Sequence, residues 1–185
     1  MHDNLLFFST FLRYPKQIGS LVPSSKFLID SLLEDIDFEN AKCIVEYGSG
    51  TGRVTREILK RARKDAKIIC FEINRKFYKY LSSSIKDKRV ALINDSAENI
   101  KKHLKKLGIE KADYIVSGLP FSNLSDRKKC IIIEETKNTL KSNGKFVVYQ
   151  FFTKFSKYLH NYFSKISMRF TPLNIPPCFV YVCEK

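Results

Sequence analysis

The chain has 185 residues, 44% of them hydrophobic, and its 33 Lys and Arg against 19 Asp and Glu leave a net charge of +14. That length fits one ordinary domain, expected to bury about 70% of its unfolded surface, and no apolar run approaches the roughly 20 residues that cross a bilayer. Five cysteines without a C-x-x-C pair and three scattered histidines argue against a disulfide framework or a zinc site, and fit free thiols in a reducing cytosol. The positive charge favours an anionic partner, either nucleic acid or an acidic membrane surface, or else belongs to a lysine-rich solvated exterior.

Two helices are expected before the first strand. The one over 2–14 stops at Pro15 and carries Leu5, Leu6, Phe7, Phe8, Phe11 and Leu12. Its face is wide enough to pack on a core or to lie in a membrane interface. It lacks a basic leader and a small-residue cleavage site, so it does not read as a signal peptide. The second, over 24–36, begins at Pro23-Ser24-Ser25.

From about residue 40, short apolar strands alternate with amphipathic helical stretches, the pattern of parallel βαβ units. Strands are expected at 42–47, 67–72, 89–94, 113–117 and 145–152, with helices near 52–64, 74–85, 97–107 and 126–141. Asn74 and Ser125 read as N-caps, and Asn143-Gly144 as the end of the last of these helices. The stretch 154–165 places Phe155, Tyr158, Leu159, Tyr162 and Phe163 near helical spacing among Lys154, Lys157, His160 and Lys165. That pattern suits a membrane interface or lid, base stacking, or plain core packing. The tail reads as two strands, 167–175 and 178–184, around Pro176-Pro177, a link that suits an antiparallel pair.

The strongest local signal is Val45-Glu46-Tyr47-Gly48-Ser49-Gly50-Thr51-Gly52, placed between a strand and a helix. Its glycines permit a tight turn and close backbone approach to a ligand, although the G-x-G-x-G spacing departs from the dinucleotide fingerprint. Glu72, 24 residues after Gly48, ends the next strand where a carboxylate accepts hydrogen bonds from ribose hydroxyls. The third strand ends in Asn94-Asp95-Ser96-Ala97, again an acid at the carboxyl edge, where open α/β sheets bind ligands.

Glu46-x-Gly48-x-Gly50-x-Gly52, followed by Glu72 and Asp95, resembles the class I S-adenosylmethionine-dependent methyltransferases. Val116-Ser117-Gly118-Leu119-Pro120-Phe121 looks like an expanded form of the motif of methyltransferases that act on amine nitrogens. That segment, with 11–15, 19–25, Gln150-Phe151 and Asn174-Ile175-Pro176-Pro177, is similar to bacterial phospholipid N-methyltransferases, so the likeness covers nearly the whole chain. It implies one domain over 1–185. An N-terminal helical segment, 1–38, would serve as membrane dock or lid. The core, 39–185, would be an α/β Rossmann-like fold: a mainly parallel seven-stranded sheet, helices on both faces, and an antiparallel C-terminal strand.

The resemblance also implies S-adenosylmethionine as cofactor, S-adenosylhomocysteine as product, and no metal. Glu46, Tyr47, Gly48, Ser49 and Gly50 would line the methionine end and the loop. Glu72, with Ile73 beside it, would hold the ribose, and Asp95 with Ser96 the adenine amino group. Ser117, which would also touch the cofactor, and the Leu119 carbonyl would orient the acceptor amine. Phe121 would turn an aromatic face to the cationic centre or simply pack in its loop. The acceptor expected is the amine of a phosphatidylethanolamine-type phospholipid. It would be methylated by a cytoplasmic monomer held peripherally on the anionic inner face of the cell membrane. No general base is evident, Tyr47 and Tyr149 being the tyrosines near enough in sequence. Ribosomal RNA adenine dimethyltransferases share this core, so RNA is the alternative acceptor. They carry Asn where Ser117 stands, and a helical C-terminal extension.

Overall fold

A computed structural model describes residues 25–185. The expected helix over 2–14 and the segments 11–15 and 19–24 lie outside those residues. The described chain opens with α1 (Lys26–Leu33), capped by Ser25, whose hydroxyl accepts from Leu28 N. It continues through β1 (Cys43–Tyr47), α2 (Arg53–Arg61), β2 (Lys67–Phe71), α3 (Arg75–Ser84), β3 (Val90–Ile93) and α4 (Ile100–Lys106). Then follow β4 (Ala112–Ser117), α5 (Asp126–Thr139), β5 (Leu140–Gln150), α6 (Ser156–His160), β6 (Lys165–Thr171) and β7 (Cys178–Glu184). Among the described residues no helix is long and apolar enough to cross a membrane.

The strands form one sheet in the order β3-β2-β1-β4-β5-β7-β6. The first five run parallel, and β7 is antiparallel to both β5 and β6. Every residue of β1 is buried, as expected of a strand covered on both faces. Ile44, Ile68, Val116 and Val147 pack with α1 and α2 on one face, while Val45, Ile115 and Val148 pack with α4, α5 and α6 on the other. Strand order reverses between β1 and β4, which opens a crevice beyond their carboxyl ends.

Asn74 and Ser125 cap α3 and α5 through their side chains, as their sequence positions suggest. One expectation is corrected, and one open alternative is decided. Asn143-Gly144 does not end a helix: α5 stops at Thr139, and Leu140 is already extended and paired with Ala112. Gly144 instead lets β5 press on β4, since a Cβ there would lie 2.9 Å from Asp113 O and 3.1 Å from Lys141 N. The stretch 154–165 forms only the short α6 before β6 begins. Its Phe155, Leu159 and Phe163 are buried in the core, with Tyr158 and Tyr162 packed against it.

Candidate active site

Beyond β1 the chain passes through Gly48 (φ 73°), Gly50 (φ 54°) and Gly52 (φ 80°), a left-handed conformation that disfavours any side chain. Gly48 N donates to Phe71 O at 2.8 Å, and Gly118 N donates to Tyr47 O at 2.8 Å. The loop after β1 is therefore tied to both neighbouring strands. A Cβ on Gly118 would meet Gly48 O at 3.3 Å, so the two loops touch backbone to backbone. Glu72, at the end of β2, is buried. Its Oε2 accepts from Gly50 N and its Oε1 from Asn74 N, each at 2.8 Å. Burial raises its pKa, and those two N–H groups oppose the rise. Each oxygen keeps a lone pair for a further donor. Asn94 Nδ2 donates to Glu72 O at 2.7 Å, which fixes the backbone that carries the carboxylate.

Glu46 lies beneath the loop, wholly buried, and accepts from Thr55 Oγ1 at 2.5 Å and from Cys70 Sγ at 3.6 Å. Burial pushes its pKa from 4.5 up to about 7, against the pull of the Thr55 and Cys70 donors. Ser49 Oγ is also buried and reaches no hydrogen-bond partner. A carboxyl whose folded value is raised stabilises the fold in its protonated form. That contribution is complete below about 4.5 and is lost as pH rises through about 7. Urea midpoints of the unliganded protein should therefore fall between pH 5 and pH 8, and Glu46→Gln should flatten that part of the fall. An equally steep fall in the variant would show that another group carries it.

Asp95 does not stand alone at the end of β3. Its Oδ2 lies 2.8 Å from His103 Nε2, and its Oδ1 accepts from Ser96 N at 2.7 Å and Asn99 Nδ2 at 3.0 Å. The His103 bond chiefly holds the carboxylate down to about 2, so Asp95 is an anionic acceptor. Ser96 Oγ is engaged with Glu98. Ile73 is 54% exposed between Glu72 and this corner, an apolar surface open to a flat ring. Tyr47 contributes backbone only: its ring is buried and its hydroxyl sits 3.2 Å from Thr136 Oγ1. Burial pushes that hydroxyl well above its ordinary value, so it is unsuited to act as a base.

The Ser117–Phe121 turn follows β4 directly. Ser117 is buried, and its Oγ accepts from Leu119 N at 3.3 Å. The Leu119 carbonyl accepts from Phe121 N and from Gln150 Nε2, each at 2.9 Å. Two donors thus already occupy the carbonyl expected to orient an amine. Phe121 is fully buried and packs on Phe155, ring centroids 4.4 Å apart. Thr55, His103 and Gln150 join the site through contacts 9, 8 and 31 residues away in sequence. Only Gln150 carried a sequence signal, as part of a resembling dipeptide.

A family model described as methyltransferase small domain matches residues 19–171. Ornithine lipid N-methyltransferase of Singulisphaera acidiphila is 29% identical over 186 aligned positions, covering 100% of this chain and 97% of that protein. Ribosomal RNA small subunit methyltransferase A of Mycoplasmopsis synoviae is 29% identical over 111 positions, 60% of this chain but 40% of that protein. Among solved structures, Burkholderia thailandensis 1,6-didemethyltoxoflavin-N1-methyltransferase with bound S-adenosylhomocysteine has a TM-score of 0.63. The alignment covers 78% of this chain and 71% of that one at 14% identity, a likeness of fold.

Proposed function

The chain belongs to the methyltransferase small domain family and is an S-adenosylmethionine-dependent methyltransferase, and on that premise we propose that it methylates the primary amine of a membrane lipid, with phosphatidylethanolamine-type headgroups as acceptor. One observation carries the lipid reading: the likeness to ornithine lipid N-methyltransferase covers all of this chain and 97% of that protein, while that to the ribosomal RNA enzyme covers 40% of its length. The protein would work on the inner face of the cell membrane, as a single domain and as a monomer.

The residues present suit the cofactor. Gly50 has no heavy atom within 4 Å of where its Cβ would stand, Ser49 Oγ is buried without a partner, and the Glu72 carboxylate is fixed with lone pairs to spare. Gly48, Ser49 and Gly50 would line its methionine end, with Glu46 beneath them. Glu72 would take the ribose hydroxyls, Ile73 would lie along the base, and Asp95 would meet the adenine amino group. When bound, the cofactor supplies a methyl group already activated on a sulfonium. The protein's task is then to exclude water and aim a nitrogen lone pair. Ser117 would hold the amine, and Phe121, packed on Phe155, would keep the turn in place beneath it. With Tyr47 unsuited as a base, the ammonium proton would leave to water before attack.

Labelled methyl transfer tests the reading. Anionic liposomes containing phosphatidylethanolamine or ornithine lipid are offered beside ribosomal RNA. Label should enter lipid, and label in RNA with none in lipid would overturn the lipid assignment.

A further inference from the structure

Gln150, the last residue of β5, pairs with Phe179 of β7, and Thr171, the last of β6, pairs with Cys178. The connection 172–177 therefore lies beyond the same sheet edge as the glycine loop and the Ser117–Phe121 turn. Phe152, two residues past Gln150, lies there too. On this edge Phe152 is 68% exposed, Leu173 60% and Ile175 76%. The connection is anchored: Asn174, between Leu173 and Ile175, is buried, accepts from Ser25 N at 3.2 Å and donates to Pro176 O at 2.7 Å. A buried polar clamp with apolar side chains exposed on either side is a costly way to make an ordinary surface loop.

The Ser25 contact also places the start of α1 at this edge, and with it exposed Phe27 and Lys26. Lys26 lines a groove between α1 and α2 with Arg53, Arg56 and Lys60, opposed by Asp30 and Glu57, both of which pair with Arg61. Arg53 directly follows the glycine loop, so cations flank the apolar tips beside the mouth of the site.

We propose that this edge is the membrane-docking face, on which Phe152, Leu173 and Ile175 enter the interface of an anionic bilayer while Lys26 and Arg53 rest on its headgroups. The arrangement rests on the lipid-amine reading, because it brings the carboxyl edge of the sheet against the layer where headgroup amines lie. Apolar insertion with cationic support is how a peripheral protein holds an anionic surface.

The test is partition of the full chain onto phosphatidylglycerol/phosphatidylethanolamine vesicles. Leu173→Ser with Ile175→Ser should weaken partition by at least about tenfold. Both side chains are solvent-facing, so affinity for S-adenosylhomocysteine should stay unchanged and report an intact fold. Turnover of a short-chain phosphatidylethanolamine kept below its micelle concentration should likewise be retained. The chain has no tryptophan, so Ile175→Trp adds a lone reporter. Its emission should shift to the blue on vesicles and be quenched by brominated acyl chains. Unchanged partition of the double variant, or no shift at position 175, would overturn the face. So would loss of self-association in the variant without loss of partition, which would make the edge a contact between copies. Weakened partition of the variant with no label in any lipid would uphold the face and sink the lipid acceptor.

Discussion

Glu72→Ala is expected to weaken binding of S-adenosylmethionine and S-adenosylhomocysteine by at least about tenfold, read by titration calorimetry. A hydrogen bond to a charged group contributes about 1.5–3 kcal/mol, and losing one such bond is enough for that factor. The substitution does more than remove an acceptor for ribose. It strips Gly50 N and Asn74 N of their partner, so the glycine loop and the start of α3 lose a shared anchor. Glu72→Gln separates the two effects. It keeps one acceptor oxygen but turns an amide N–H toward one of those backbone donors, so it should bind poorly while losing less affinity than alanine. Because burial raises the Glu72 pKa, its acceptor form is lost on acidification above the ordinary 4.5. Affinity should therefore begin to fall at a higher pH than an exposed carboxylate would dictate. Affinity unchanged in Glu72→Ala would place the ribose elsewhere.

What was legible in the sequence was local. The glycine run sits between one strand and the next helix, and Glu72 ends the following strand, so a βα unit read in order brings them together. Asp95 was legible on the same ground, but its pairing with His103 was not: that contact depends on α4 turning back over the end of β3. Gln150 reaches the Leu119 carbonyl from the end of the neighbouring strand, and the resembling dipeptide that flagged it did not say which group it would meet 31 positions away. The 154–165 pattern was ambiguous because a core-facing stripe and a membrane-facing stripe share one spacing. Packing of Phe155 against Phe121 and of Phe163 against Phe146 decides for the core. Asn143-Gly144 looked like a helix stop because the same glycine that ends a helix also permits two backbones to meet. Charge had no address in the sequence, and only the fold sets Lys26 and Arg53 on one groove.

Two glycines of the loop should respond differently to the same added methyl group. Gly52→Ala is expected to destabilise the protein by about 2–5 kcal/mol, seen as a lower urea midpoint. Left-handed backbone costs a non-glycine residue about 1–2 kcal/mol, and forcing atoms into a packed site costs about 1–3 more. At Gly52 the new Cβ would lie 2.6 Å from Leu81 Cδ2 and 3.2 Å from Ile85 Cδ1, so those two side chains would have to shift within their packing. Gly50→Ala carries a similar backbone cost at φ 54° but meets no heavy atom within 4 Å, so its loss should stay near about 1–2 kcal/mol. The empty space over Gly50 is where the cofactor should lie against bare backbone. Gly50→Ala should therefore cost far more in affinity for S-adenosylhomocysteine than in stability. If it bound that product as tightly as the parent chain, the space above residue 50 would not be the cofactor's.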